Sequence, residues 1–211
     1  VPNSLDINSE NYGKKQFYRD IKSNIRLITP VYLLRELAQD TSLPFRSLRK
    51  ALEAVVVNSS TSSLNAYEYQ LKMFAAIFKS ALREHVTHLT SVRSLESAEY
   101  LVDDFVNSTE CVLSKFRSLY QIIDVPVVSD RTRNCFRMSD EFMSHMVVYR
   151  TTRLIKQMDS QTQSELSPHI RDKFVELIRD EKEYMTTMGY GNLNVDPEHD
   201  RQLVFHHGML K

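Results

Sequence analysis

The sequence predicts an all-α protein: a single helical-bundle domain of about seven or eight helices around a long antiparallel helical hairpin. Residues that break helices are scarce, because the 211 residues include only 4 glycines and 6 prolines. Two neighbouring stretches, 64–89 and 95–123, also carry apolar residues that recur at heptad spacing. Adjacent helices with such apolar seams are expected to pack antiparallel against each other.

The seam of the second stretch is the clearer of the two. Its two heptad positions read Leu95, Val102, Thr109, Phe116, Ile123 and Ala98, Phe105, Val112, Leu119. The first stretch has a similar seam formed by Leu64, Leu71, Ala75, Phe78, Leu82 and Leu89. Serines stand where N-caps are needed, so we expect Ser62 or Ser63 to cap the first helix and Ser91 or Ser94 the second.

The region before the hairpin is predicted to contain three helices. Residues 1–13 are polar and are expected to form a loose lead-in to a domain spanning 14–211. The first helix begins near Lys14, and the second begins at a threonine cap followed by Pro30. The third helix is expected to place Phe45, Leu48, Leu52 and Val55 towards the core. The polar run 58–63 ends it and is a possible boundary inside the domain.

The region after the hairpin contains the one clear break in the helical pattern, at residues 125–138. Its three valines favour extended backbone, and its proline restricts that backbone to an edge strand or a loop. A helix is expected to reopen at Ser139, and another begins at a serine cap followed by Pro168. Gly189 is expected to end that helix, and a last helix begins at Asp196.

Composition narrows the possible settings of the protein. The formal net charge is zero, which argues against a chain dominated by attraction to nucleic acid or membrane surfaces. No segment approaches the ~20 apolar residues of a membrane span, so membrane insertion is not expected. The 2 cysteines indicate no disulfide framework, and a reducing, cytoplasmic location is predicted. The chain begins at Val1 and ends inside an apolar-periodic stretch, so we expect it to be a fragment of a larger protein.

The sharpest local pattern runs from Glu36 to Leu52 and resembles the helix-turn-helix of bacterial transcription regulators. In that resemblance four apolar residues serve packing: Ala38, Leu43, Leu48 and Leu52. The residues that the resemblance turns towards phosphates and base edges are Arg46, Ser47, Arg49 and Lys50. Ser42 stands at the turn, where glycine is usual. The alternative interpretation is ordinary packing of two short amphipathic helices.

Motifs for catalysis and cofactor binding are missing from the sequence. With 4 glycines, neither a phosphate-binding loop nor a dinucleotide fingerprint can be written, and no catalytic residue or cofactor is predicted. His85 with His88, and Glu141 with His145, each lie on one helix face, and a bundle can bring such groups around a metal. The Glu-x-x-His spacing of di-iron bundles does not occur, however, so no metal site is assigned.

Three arginines in the predicted loop form a further candidate site. Arg131, Arg133 and Arg137 are suited to hold a phosphate or carboxylate, or an anionic partner, through bidentate hydrogen bonds. Loops on a rigid scaffold commonly carry binding residues. The alternative is that these arginines pair with the acidic region 159–211.

These observations favour a non-enzymatic, cytoplasmic regulatory or protein-interaction module of a larger protein. A DNA-binding regulator that uses residues 34–55 is the alternative, and a metal-binding helical bundle is a second one. Self-association is also expected, because several apolar residues lie outside the two seams. They are Tyr67, Phe74, Leu101, Val106, Leu113 and Tyr120.

Overall fold

The computed structural model describes residues 32–58, 63–91, 99–161, 168–191 and 197–198, and the regular secondary structure within them is all helical. A short helix α1, at residues 32–38, precedes five longer helices. These are α2 (Arg46–Asn58), α3 (Leu64–Ser91), α4 (Glu99–Ile122), α5 (Asp130–Gln161) and α6 (Pro168–Met188). The predicted all-α class is confirmed. The described residues form six helices, and the helix expected from Lys14 lies outside them.

Helices α3 and α4 contact each other in the antiparallel direction. Late in α3, the His85 ring stacks on Phe105 near the start of α4, with ring centroids 4.7 Å apart. Earlier in α3, Phe78 packs on Phe116 near the end of α4, at 5.6 Å. The described residues of the second seam are all buried: Val102, Phe105, Thr109, Val112, Phe116, Leu119 and, just after α4, Ile123. The Thr109 hydroxyl donates to the Phe105 carbonyl at 2.7 Å, so this polar seam residue is satisfied within its own helix.

The broadest contact of α3 is nevertheless with α5, not with α4. Near the start of both helices, the Thr132 hydroxyl donates to Glu68 at 3.3 Å. Further along both, the Lys79 ammonium lies 4.3 Å from the ring centroid of Phe142. The two helices therefore run parallel. The expectation that the whole chain is organised around the 64–123 hairpin is not confirmed.

Helix α6 completes a four-helix arrangement with α3, α4 and α5. It contacts α5 in the antiparallel direction and α4 in the parallel direction, where Phe174 lies 6.0 Å from Phe105 between ring centroids. Helices α4 and α5 also touch, through Phe116 and Phe136 stacked at 5.3 Å. The order of neighbours around the bundle is therefore α3, α5, α6, α4, with α4 and α5 meeting across the diagonal.

The predicted break in the helical pattern at 125–138 is wrong for residues 130–138, which belong to α5. Only residues 123–129 separate α4 from α5, and they form turns instead of a strand. Ser129 caps α5, because its hydroxyl oxygen accepts a hydrogen bond from the Thr132 amide at 3.3 Å. Helix α5 then continues through Ser139, which was expected to start a new helix.

Two predicted helix ends are confirmed. The Ser63 hydroxyl accepts a hydrogen bond from the Ala66 amide at 3.1 Å and so caps α3. Gly189 ends α6 with a φ of 73°, in the left-handed region that glycine adopts without strain. The turn at Gly189 brings the Tyr190 amide to the Met185 carbonyl at 2.9 Å.

The apolar surplus outside the two seams is mostly buried within the chain. Tyr67, Phe74, Val106 and Leu113 are buried, and Tyr120 is half-buried. The side chain of Leu101 lies outside the described residues. Self-association stays a prediction, but these residues do not supply its surface. Within the described ranges, no helix combines the length and apolarity that crossing a membrane requires.

A turn between α1 and α2 is fastened to α4 by Asp40. One carboxylate oxygen of Asp40 accepts hydrogen bonds from the amide and hydroxyl of Ser42, at 2.9 and 2.6 Å. The other oxygen lies 2.7 Å from the Lys115 ammonium on α4. These interactions, Lys115 first and then Ser42, lower the pKa of Asp40 from 3.8 to about 2.

Asp40 should therefore contribute stability that is present above pH 4 and is lost as the pH falls towards 2. We expect Asp40→Asn to remove about 1 kcal/mol at pH 7, after allowance for solvent screening, and much less at pH 2. Urea unfolding at several pH values measures this. Asp104→Asn, at an exposed position on α4, is the control and should show no such pH dependence. A destabilisation by Asp40→Asn that is equal at both pH values would contradict the ionic role of Asp40.

Candidate functional site

The helix-turn-helix-like segment packs as the sequence pattern implied. Ala38, Leu43, Leu48 and Leu52 are all buried, and their exposed fractions do not exceed 5%. Helix α2 begins at Arg46, directly after the turn. The apolar residues of the helix-turn-helix-like segment thus belong to the core. The outer face of α2 is the part of the segment that is available for binding.

Phe45 sets the direction in which α2 leaves the turn. Its φ of 68° is left-handed, a conformation that costs a bulky residue about 1–2 kcal/mol. The Phe45 ring packs on His85 with centroids 4.6 Å apart, and His85 Nε2 lies 3.3 Å from the Phe105 carbonyl oxygen. Burial lowers the pKa of His85, which favours the neutral ring in this aromatic stack. One of the candidate metal-binding histidines is therefore engaged in packing.

The outer face of α2 presents a line of exposed residues, here named the α2 surface. It consists of Arg46, Ser47, Lys50, Glu53, Ala54 and Val57. The steps of three or four residues place most of them on one side of the helix. Arg49 lies half-buried at the edge, and its buried Nε has no hydrogen-bond partner in the described part of the chain.

The α2 surface changes character along its length. Arg46 and Lys50 lie in the first two turns, where the helix dipole adds to their positive charge. Glu53 and Val57 lie towards the other end, and Val57 is 73% exposed. A cationic end and an apolar end therefore adjoin on one helix face.

The three arginines predicted as a loop cluster lie instead on the first turns of α5. Arg133 pairs with Asp130, and its Nη1 lies 3.8 Å from Asp124. Arg131 and Arg137 are exposed. Arg131 and Arg137 are six residues apart, so their side chains point in directions more than a quarter turn apart around the helix axis. The three side chains therefore do not converge. Within the described residues, Arg133 pairs with Asp124 and Asp130. The alternative, that the three arginines pair with the acidic region 159–211, stays a prediction.

The other candidate metal ligands do not assemble into a site among the described residues, which contain no group of three or more suitable side chains. His145 is buried on α5, and its Nε2 lies 3.7 Å from Glu141 Oε1, too far for a hydrogen bond. Burial lowers the pKa of His145. This pair alone supplies too few ligands for a metal ion.

A buried polar network at the centre of the bundle was missed by the sequence analysis. Arg117 on α4 donates from Nε to Asp140 at 3.2 Å and from both terminal nitrogens to Glu181, at 2.7 and 2.8 Å. It also donates to the Ser144 hydroxyl at 2.8 Å. Asp140 is fully buried and Glu181 is 5% exposed. The network joins α4, α5 and α6 and carries one positive and two negative charges.

Two tyrosines close the network. The hydroxyls of Tyr184 and Tyr190 both donate to the same oxygen of Asp140, the latter at 2.7 Å. The Arg117 guanidinium lies over the Tyr184 ring, 3.5 Å from its centroid. Burial, and then these hydrogen bonds, raise the pKa of both tyrosines. All the carboxylate oxygens and guanidinium nitrogens of the network are hydrogen-bonded, and these bonds join α4, α5 and α6.

The chain finds no match among protein-family models, curated proteins or solved structures. The Arg117 network is closed and satisfied, whereas the α2 surface exposes both charge and apolar area. In the sequence, Glu181 could have revealed this network. It is an acid at an apolar-face position of α6, and a buried acid indicates a buried cationic partner.

Proposed function

We propose that the chain is a non-enzymatic regulatory and protein-interaction module of a larger cytoplasmic protein. Its partner is a protein that binds the α2 surface. The observation that carries this proposal is the division of α2 into two faces. Leu48 and Leu52 are buried against the bundle, while Arg46, Lys50 and Val57 face solvent along one line.

The chemistry of the α2 surface favours a protein partner. Interface centres combine apolar side chains with arginine, and Val57 and Arg46 supply these two elements on one helix. Glu53 lies between them and would repel a phosphate backbone. A helix that places acids opposite Arg46 and an apolar residue opposite Val57 matches this surface.

The proposal is tested by a substitution at its apolar end. Val57→Asp should lower partner binding about tenfold, because a charge is then placed against the partner's apolar residue. Val175→Asp is the matched control, since Val175 is also exposed, at 47%, but lies on α6. Each protein is used to capture binding proteins from cytoplasmic extract, which are quantified by mass spectrometry. Circular dichroism verifies that both variants are folded.

We expect wild type and Val175→Asp to retain the same set of proteins and Val57→Asp to lose it. An identical set for all three proteins would exclude the α2 surface as the binding site. Equal losses for both variants would mean that added negative charge alone is responsible.

DNA binding is the second candidate, and one observation favours it. Arg46, Ser47 and Lys50 are exposed together at the start of α2, where a recognition helix contacts DNA. Fluorescence anisotropy with a random-sequence duplex at several salt concentrations tests this. Replacing Arg46 and Lys50 with glutamine should reduce the salt slope by about one for each phosphate that is no longer neutralised. Lys156→Gln, at an exposed position on α5, is the control, and duplex binding independent of Arg46 and Lys50 would exclude this role.

A further inference from the structure

Arg150 is a buried cation whose carboxylate partner comes from beyond α6. It lies on α5 and is only 9% exposed. Its guanidinium donates to the Thr87 hydroxyl on α3 and to one carboxylate oxygen of Glu198. The other oxygen of that carboxylate lies 3.5 Å from Nε of Arg83, also on α3. One carboxylate thus bridges arginines on two parallel helices.

Lys79 adds a third positive charge beside Arg83 and Arg150. It precedes Arg83 by one helical turn on α3, and its ammonium lies over the Phe142 ring of α5. Burial lowers the pKa of Lys79, Arg83 lowers it further, and Glu198 acts in the opposite direction. The ammonium therefore shares the field of both groups. Two arginines thus contact the Glu198 carboxylate directly, and the Lys79 ammonium adds positive charge one helical turn from Arg83.

We propose that Arg83, Thr87 and Arg150, with Lys79 beside them, form a carboxylate-binding site that Glu198 fills and that an acidic segment of a partner protein can take over. A buried guanidinium needs an anion, and its flat fork of donors suits a carboxylate. Glu198 follows the last described residue of the α6 turn, Gly191, by only seven positions. That short connection gives its carboxylate an effective concentration of about millimolar, which an external segment must exceed. This site is separate from the α2 surface and does not depend on it.

The test uses the full chain and a peptide of its own sequence. The probe is a fluorescein-labelled peptide of residues 192–202, which contains Glu198. Its binding to wild type and to the Glu198→Gln protein is measured by fluorescence anisotropy. We expect about tenfold tighter binding to Glu198→Gln, because the competing carboxylate of the chain itself is gone. The same peptide carrying Glu198→Gln is the matched control and should bind both proteins weakly.

A further substitution locates the site. Arg83 is 42% exposed at its side chain, so Arg83→Gln should leave the fold intact. Added to Glu198→Gln, it should weaken peptide binding about fivefold, through loss of one ion pair. Lys156→Gln in the same background should leave binding unchanged, since Lys156 lies exposed elsewhere on α5.

Three results would overturn the proposal. They are equal affinity of the peptide for wild type and Glu198→Gln, equal binding of the two peptides, and absence of binding to either protein. Sodium phosphate and sodium chloride at equal ionic strength should displace the peptide equally. Stronger displacement by phosphate would overturn the assignment to carboxylates and indicate a phosphate-binding site instead.

Discussion

Replacing Arg117 with methionine should lower the free energy of unfolding by about 3–5 kcal/mol at pH 7. The substitution keeps much of the side-chain volume but leaves Asp140 and Glu181 buried without their cation. Two neighbouring anions in a medium of low polarity repel each other and have lost their hydration. Urea unfolding measures the destabilisation. Arg153→Met, at an exposed position on α5, is the control and should stay within about 0.5 kcal/mol of wild type.

A second substitution tests whether the destabilisation by Arg117→Met arises from the loss of charge compensation. In wild type, Glu181→Gln should destabilise the protein, because Arg117 loses its bidentate partner. In the Arg117→Met background, the same change should stabilise it, because one of the two uncompensated anions is removed. This reversal of sign is measured as a double-mutant cycle. Equal effects of Glu181→Gln in the two backgrounds would show that Arg117 and Glu181 are not coupled.

Replacing Phe105 with alanine should also lower the free energy of unfolding by about 3–5 kcal/mol. The Phe105 ring is 2% exposed, stacks on His85 and contacts Phe174, so it joins α4 to both α3 and α6. Truncation removes buried apolar area and leaves a cavity that two flanking rings cannot fill without moving. Tyr69→Ala is the matched control, because Tyr69 is an aromatic residue of α3 with 58% exposure.

Urea melts of both variants decide the outcome, and Tyr69→Ala should change stability by less than about 1 kcal/mol. Similar destabilisation of the two variants would contradict the assignment of Phe105 to the core. A changed dependence of stability on urea concentration would instead indicate an altered denatured state, and the comparison would then be made from thermal melts.

The sequence predicted those parts of the fold that depend on local pattern. The heptad seam of α4 is buried as expected, because residues of the same heptad position lie on one face of a helix. Ser63 and Gly189 were identifiable because a capping hydroxyl and a left-handed helix end each require a particular residue type. The apolar residues that pack around the α1–α2 turn were likewise recognisable from their spacing in the sequence.

The remainder depends on contacts between distant residues. The first turns of α5 place Thr132 and Ser139 inward where a core helix usually has large apolar residues, so no apolar period marked the helix. Arg117 and Glu181 are 64 positions apart, and nothing in the local sequence of either indicates the other. The packing of α3 on α5 was missed because seam residues on α3 fit equally well against any apolar partner.

The parallel arrangement of α3 and α5 has a consequence for how the chain folds. Contacts between these helices join positions such as Glu68 with Ser129 and Thr87 with Arg150, which are 61 and 63 residues apart. Such distant pairs form only after a large loop has closed, which slows folding relative to bundles whose broadest contacts join successive helices. During synthesis on the ribosome, α3 and α4 emerge before α5, so α3 lacks its principal partner until α5 has followed. Its apolar face is then open to chaperones, so the rate of translation between α4 and α5 should influence the yield of folded protein.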